Sequence, residues 1–284
     1  FHLGAVQFQR AQSIGSLLTR VDEALARAAG IGPNSLFADA SSNRFSLPAE
    51  QWRTLLTEAV DGGQLSLAFF PVVRGGDGMA LHQEGVIRLK PANDSDALLS
   101  AGDFMPMAAK LNLAAPIDLG VVKLAIEHLQ HGTGDVAVNL SAETIADFNF
   151  RNQLVQLLSA YPEMCRRLLF EVPEYGAFRA FDAFCDLTRV LKQLGCRVGI
   201  EYFGQRFAES DKLASLGLDY IKVHPSYVRD IQNNPGNQEF LMGLCRVAHG
   251  LGIEVFALGV ESKDILPLLA ELGFDGATGS AIGK

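Results

Sequence analysis

Acidic, basic and amide side chains recur in this chain where apolar runs stop. Glu84 and Arg88, Asn139, Glu171 with Glu174, Glu201, Lys222 with His224, and Glu261 all take such places. Singly, a carboxylate at a strand end is most often solvated or capping a helix. The set asks for more, because Asn139, Glu171 and Lys222 each interrupt or close an otherwise apolar run. Burying such groups is costly unless they meet partners or a ligand. A small anionic ligand held by one or two placed cations stays open. In GIEYFGQRF (199–207) a carboxylate and a phenol, Glu201 and Tyr202, stand side by side at the end of one such run.

Alternating elements must position these residues. Apolar, β-rich runs occur at LSLAFFPVV (65–73), EGVIRL (84–89), DVAVNL (135–140), RLLFEV (167–172), RVGIEY (197–202), YIKV (220–223), EVFAL (254–258) and DGATG (275–279). Between most of them lie amphipathic stretches, 117–130, 181–194, 237–251 and 264–272, with apolar residues at helical spacing. Several stop at Gly, as at Leu194-Gly195, Leu251-Gly252 and Leu272-Gly273. The alternation predicts parallel strands with crossover helices. Eight such runs favour an α/β fold of the (β/α)8 TIM-barrel type over an open sheet. Functional groups of such barrels sit at the C-terminal ends of the strands.

Residues 1–40 differ. LGAVQFQ predicts a strand, SLLTRVDEALARAAGIGPN a helix stopped by Gly and Asn, and ASSNRFSLPAEQ (40–51) a Ser-rich linker, with a boundary near Ser42. At 284 residues, 48% hydrophobic and 20% charged, the chain has ordinary globular composition and length for a full core. No apolar run reaches the roughly 18–20 residues of a membrane span, and FHLGAVQFQR has no signal-peptide pattern. A net charge of −8 without a long basic run argues against DNA or RNA as a partner. Cys165, Cys185, Cys196 and Cys245 lack metal-ligand spacing and read as reduced, mostly buried thiols.

Several short motifs follow one another in a fixed order: Glu84-Gly85-Val86-Ile87-Arg88, Phe104-Met105-Pro106-Met107-Ala108-Ala109, Asn139-Leu140-Ser141, Glu171-Val172-Pro173-Glu174, Glu201-Tyr202-Phe203-Gly204, Lys222-Val223-His224, Leu258-Gly259-Val260-Glu261 and Thr278-Gly279. Over about residues 53–284 they resemble the EAL domains, phosphodiesterases of cyclic di-GMP whose barrel holds two divalent metals. The resemblance implies a degenerate member. Two adjacent aspartates of the family stand here as Glu201 and Tyr202, the aspartate after the lysine as His224, a glutamate as Leu258, another as Ala109, and a glutamine as Thr278. A phenol with a pKa near 10 is a poor ligand for a hard cation. No catalytic or metal-ligating residue is therefore expected, and no cofactor is required, although a single weakly held ion on Glu84, Asn139 and Glu171 stays open.

Binding without catalysis is the leading expectation. Cyclic di-GMP would meet Glu84, Gly85, Val86, Arg88, Pro106, Met107, Asn139, Glu171, Glu201, Tyr202, Phe203, Lys222, Glu261 and Gly279, with Arg88 and Lys222 as cations. Arg88 has an equal alternative as a salt-bridge partner of Glu84 or Glu171. Residues 3–6, 21–28 and 32–34 resemble the last strand and helix of a GGDEF domain, the module commonly fused ahead of EAL. The expected layout is 1–41 as that fragment, 42–52 as linker and 53–284 as EAL domain. The chain is also similar to LapD-type receptors. That likeness implies the cytoplasmic part of a bacterial inner-membrane protein, EAL-mediated homodimers, and output through upstream segments. Two other functions remain open: an interaction platform with a vestigial pocket, and a very slow phosphodiesterase.

Overall fold

The computed structural model describes residues 1–8, 14–31, 35–39, 47–91, 98–204 and 212–283. It divides into two compact units, Phe1–Ser66 with Ile87–Gly120, and Leu67–Val86 with Val121–Lys284.

In the first unit, β1 (His2–Val6) and β2 (Ser35–Asp39) pair in parallel on either side, in sequence, of α1 (Ile14–Ile31). The sequence pattern marked the first strand and the helix but not β2. A parallel partner carries no hairpin turn beside it, so nothing local announces so short a strand. Buried Arg20 of α1 donates to the Gln7 carbonyl at 3.0 Å and to Asp39 at 3.4 Å, tying the helix to the ends of both strands. α2 (Ala49–Asp61) buries Trp52, Leu56 and Ala59 along one face. Glu23 of α1 accepts from the Trp52 indole at 3.0 Å and from the Leu47 backbone at 3.1 Å, so the buried indole donor is satisfied. Of the expected linker, residues 42–46 lie outside the described residues and 49–52 already form the first turn of α2.

The first two residues of β3 (Leu65–Arg74) and the last three of β4 (Ala80–Leu89) belong to this unit. There Arg88 and Leu89 pair antiparallel with Ser100 and Leu99 of β5 (Leu99–Ser100). Ser100 and Asp103 then form a capping box that opens α3 (Ala101–Lys110). Arg27 meets Asp103 at 3.3 Å, and Lys110 pairs with Asp22, which fastens α3 to α1.

The second unit holds the barrel. Its strands are β3 from Leu67, β4 to Val86, β6 (Val136–Asn139), β7 (Leu168–Pro173), β8 (Arg197–Phe203), β9 (Tyr220–Val223), β10 (Glu254–Leu258) and β11 (Gly276–Thr278). The order β3-β11-β10-β9-β8-β7-β6-β4, with β3 also paired to β4, closes a ring of eight strands. Pairings from β4 round to β11 are parallel, as the sequence predicts, whereas β3 runs antiparallel to β11. The expectation of parallel strands throughout is thus corrected at one strand. Only residues 75–79 separate β3 from β4, too few for the crossover that a parallel pair needs.

Helices fill the other connections. α4 (Ala114–His131) lies between β4 and β6, α5 (Phe148–Ser159) and α6 (Pro162–Cys165) between β6 and β7, and α7 (Glu174–Arg179) and α8 (Phe181–Gln193) between β7 and β8. α9 (Leu213–Leu216) precedes β9, α10 (Pro225–Val228) and α11 (Pro235–Gly250) precede β10, and α12 (Leu266–Glu271) precedes β11. No described helix is long and apolar enough to cross a membrane.

Inside the ring, Val72, Ala137, Leu169, Tyr220 and Phe256 form a buried layer from β3, β6, β7, β9 and β10. Gly199 of β8 stands opposite Tyr220 in the ladder, and a Cβ there would lie 2.4 Å from the Tyr220 ring. The ring is fully buried and cannot swing aside. Gly199→Ala is therefore expected to destabilise the domain by about 1–3 kcal/mol through overpacking. A thermal melt shows this as a lower midpoint, and an unchanged midpoint would mean that the layer has slack.

Candidate functional site

Strand alternation sends every second residue of a barrel strand inward. On β4, β7, β8 and β9 the inward positions near the C-terminal ends carry Glu84, Glu171, Glu201 and Lys222 in place of apolar residues. All four are buried, Glu171 and Lys222 completely. Lys222 Nζ lies 2.8 Å from Glu84 Oε2 and 2.7 Å from the Glu171 carboxylate. Tyr220 Oη donates to Glu171 Oε1 at 2.8 Å, and Asn139 Nδ2 to Glu84 Oε1 at 3.2 Å. A buried ammonium thus serves as the shared partner that makes two buried carboxylates tolerable.

Among the described residues, the third carboxylate, Glu201, has no such partner within bonding distance. Burial, then the charges of Glu84 and Glu171, push Glu201 well above the usual carboxylate range. Glu171 is also raised, by burial first, although Lys222 opposes the shift. Burial alone would lower Lys222, but Glu171, Glu84 and Glu201 more than compensate and hold its proton on. Below this layer, His82 is buried with an unpaired Nε2, and burial followed by the Lys222 charge lowers it to about 3.

Oxygens of Glu84, Glu171 and Glu201 lie within 4.8 Å of one another, the one such group of possible metal ligands among the described residues. Asn139 Oδ1 is buried beside them without a partner. An all-oxygen set with a spare carbonyl fits a single hard divalent cation, where the sequence reading assigned no metal ligand. Such an ion, when bound, polarises a phosphoryl oxygen. It would compete with the Lys222 ammonium for the same carboxylates.

At the rim, β8 slips register against β9 between Ile200 and Phe203, and Tyr202 takes a left-handed φ of 57°. This bulge keeps Glu201 inside and leaves Tyr202 44% exposed. Gly204 at φ 131° closes the turn, its N–H donating to Glu174 Oε1 at 2.9 Å. His224 follows β9, with Nδ1 accepting from the Ser226 N–H at 3.1 Å, and its ring centroid lies 5.8 Å from that of Tyr202. Glu174 and His224 therefore have structural tasks.

Other expected site residues lie elsewhere or change role. Lys222 is expected to bind an anion directly, but its ammonium is enclosed by carboxylates. Phe203 is fully buried and belongs to the core rather than to an open slot. Glu261 is exposed and pairs with Arg229 at 3.6 Å, outside the carboxylate group. At Gly279 a Cβ would come within 2.2 Å of the Val260 backbone, and Gly85 abuts Leu67 and Phe69, so both glycines allow close packing. Val86 is half-buried. Arg88, Pro106 and Met107 belong to the first unit, where Arg88 Nη1 donates to the Ile87 carbonyl at 2.9 Å, Pro106 lies inside α3 and Met107 is buried. Tyr220 and His82 were missed, although each is two residues before an expected site residue on the same strand face. The period of two could have found both.

The Glu201 environment predicts a pH dependence. Its folded pKa exceeds the unfolded value near 4.5, so this contribution to stability is complete below that pH and is lost as pH rises toward the folded value. Glu201→Gln is expected to melt above the parent at pH 8 in EDTA, with the gap closing toward pH 4.5. Equal melting points at pH 8 would show that the carboxyl is stabilised in its charged form.

Comparison with known proteins places the fold. The cyclic di-GMP phosphodiesterase PdeF of Escherichia coli is 28% identical over 209 residues, covering 72% of this chain and 28% of that protein. The RNase E specificity factor CsrD of the same organism is 23% identical over 287 residues, covering 98% of this chain and 43% of that protein. The chain spans less than half the length of these curated relatives. Among solved structures, Vibrio cholerae LapD S helix-GGDEF-EAL bound to c-di-GMP superposes with a TM-score of 0.86 at 23% identity, over 98% of this chain and 68% of that one. The Pseudomonas aeruginosa FimX EAL domain bound to c-di-GMP gives 0.73 at 27% identity, over 80% of this chain and 93% of that one. The family model that matches is the EAL domain, over residues 53–284, and this chain therefore belongs to the EAL domain family.

Proposed function

We propose that this EAL domain is a non-catalytic receptor for cyclic di-GMP that relays the level of the messenger to a signalling output. The observation that carries the reading is the composition of the rim. The carboxylates gather in one group around Lys222, and the neighbouring strand ends present Tyr202 and His224. Two-metal hydrolysis of a phosphodiester needs ligands for two ions about 4 Å apart. A phenol and an imidazole engaged through Nδ1 are poor oxygen donors for the second. Binding needs neither ion. The FimX EAL domain, 27% identical, and the LapD protein are both solved with c-di-GMP.

Within this reading, residues 1–41 are the end of a GGDEF domain, 42–52 a linker and 53–284 the sensing domain. The parent is an inner-membrane protein with this part in the cytoplasm, and the EAL domain forms homodimers. The group that fits one cation favours a second reading, a very slow phosphodiesterase. Both are tested together. Calorimetric titration of the purified chain with cyclic di-GMP in EDTA is expected to give micromolar or tighter binding, with no linear dinucleotide after hours with Mg²⁺ or Mn²⁺. Metal-dependent product would establish the enzyme. Absence of both heat and product would leave the domain as a protein-interaction platform.

A further inference from the structure

Two side chains at the barrel mouth have no task in the buried ion network. Tyr202 stands in the β8 bulge, its φ of 57° turning it from the alternation of the strand. His224 stands at the end of β9, and its backbone N–H donates to the Phe203 carbonyl at 2.9 Å. The two residues are therefore fixed to each other through the backbone, with ring centroids 5.8 Å apart and planes at 58°. Nδ1 of His224 accepts from the Ser226 backbone, so the neutral ring carries its proton on Nε2. The Tyr202 phenol is a donor as well. Each end of the pair thus offers one neutral N–H or O–H on a rigid, partly exposed frame.

The geometry points to Tyr202 and His224 as a donor rim that receives the phosphodiester oxygens of a bound cyclic dinucleotide, in place of a second divalent cation. The inference deepens the receptor reading and rests on it. Three features support it. A phenol ordinarily titrates near 10, so Tyr202 is a donor at neutral pH. Lys222 offsets the charge of Glu84 and Glu171 beneath the rim, which reduces their repulsion of an anion. Neutral donors also attract phosphate without the ordering of an ion and its water shell, and hydrogen bonds to a charged acceptor are among the stronger ones. The left-handed backbone at Tyr202, uncommon for a bulky residue, then has a use: it holds the donor over the mouth.

The test separates the donor from the ring. Full chain carrying Tyr202→Phe, His224→Phe or both is titrated with cyclic di-GMP beside the parent, in EDTA and in Mg²⁺, with thermal melts as a check on folding. Parent affinity is expected to be the same with and without Mg²⁺. Each single variant is expected to bind about fivefold or more weakly, as for the loss of one hydrogen bond, with a larger loss in the double variant. Full affinity in the folded double variant would overturn the donor rim while leaving the receptor intact. A parent that needs Mg²⁺ for tight binding, with the variants binding as tightly as the parent in Mg²⁺, would overturn it as well, by giving the ion the task assigned to the rim. A parent that binds under neither condition would overturn the receptor reading itself.

Discussion

A single buried ammonium governs the site. Lys222 has no exposed side-chain surface and lies between Glu84 and Glu171, so three charged groups are carried into the barrel at once. Removing either sign from such a cluster leaves an uncompensated buried charge, at a cost of about 3–5 kcal/mol. The surrounding structure answers to that requirement. Tyr220 and Asn139 donate to the two carboxylates, and Gly199 keeps the space that lets the Tyr220 ring lie flat in the layer below. Core packing and site chemistry therefore meet at one residue, Tyr220, which belongs to both.

The ion network also limits what the site can do. Oxygens that face Lys222 are already engaged, so a divalent cation must compete with a tethered ammonium that has no entropy of association to overcome. Of the three carboxylates, Glu84 and Glu171 hold the Lys222 ammonium within bonding distance and Glu201 does not. Burial, then the charges of Glu84 and Glu171, raise Glu201 well above the usual carboxylate range. A ligand or ion that supplied positive charge beside Glu201 would relieve this, and metal affinity of the group would rise steeply with pH for the same reason.

Much of this was legible in the residues because barrel strands have short, regular signatures. All eight apolar runs became strands of the ring, and the polar interruptions at Glu84, Glu171, Glu201 and Lys222 marked the inward face. Burial of a charge is visible in sequence as a break in an apolar run. Its partner is not, since Lys222 and Glu84 are 138 residues apart and only closure of the ring joins them. For the same reason Lys222 reads as a free cation for an anionic ligand until the geometry encloses it. Backbone irregularity is hidden more deeply. Nothing in Ile200-Glu201-Tyr202-Phe203 announces a bulge, and β2 lacked any turn signal because its partner β1 lies across a helix.

The rim is where the two kinds of information combine. The motif resemblance implies that Tyr202 and His224 stand where other family members carry aspartates. The backbone shows that both positions are firmly built: His224 is bonded to Phe203 and Ser226, and the turn after Tyr202 is anchored through Gly204 to Glu174. A bulge that strains a bulky residue into the left-handed region is destabilising by about 1–3 kcal/mol. Random loss of a catalytic carboxylate would remove a ligand without requiring such support. Under the receptor reading proposed above, that ordered, costly backbone is what a recognition surface requires.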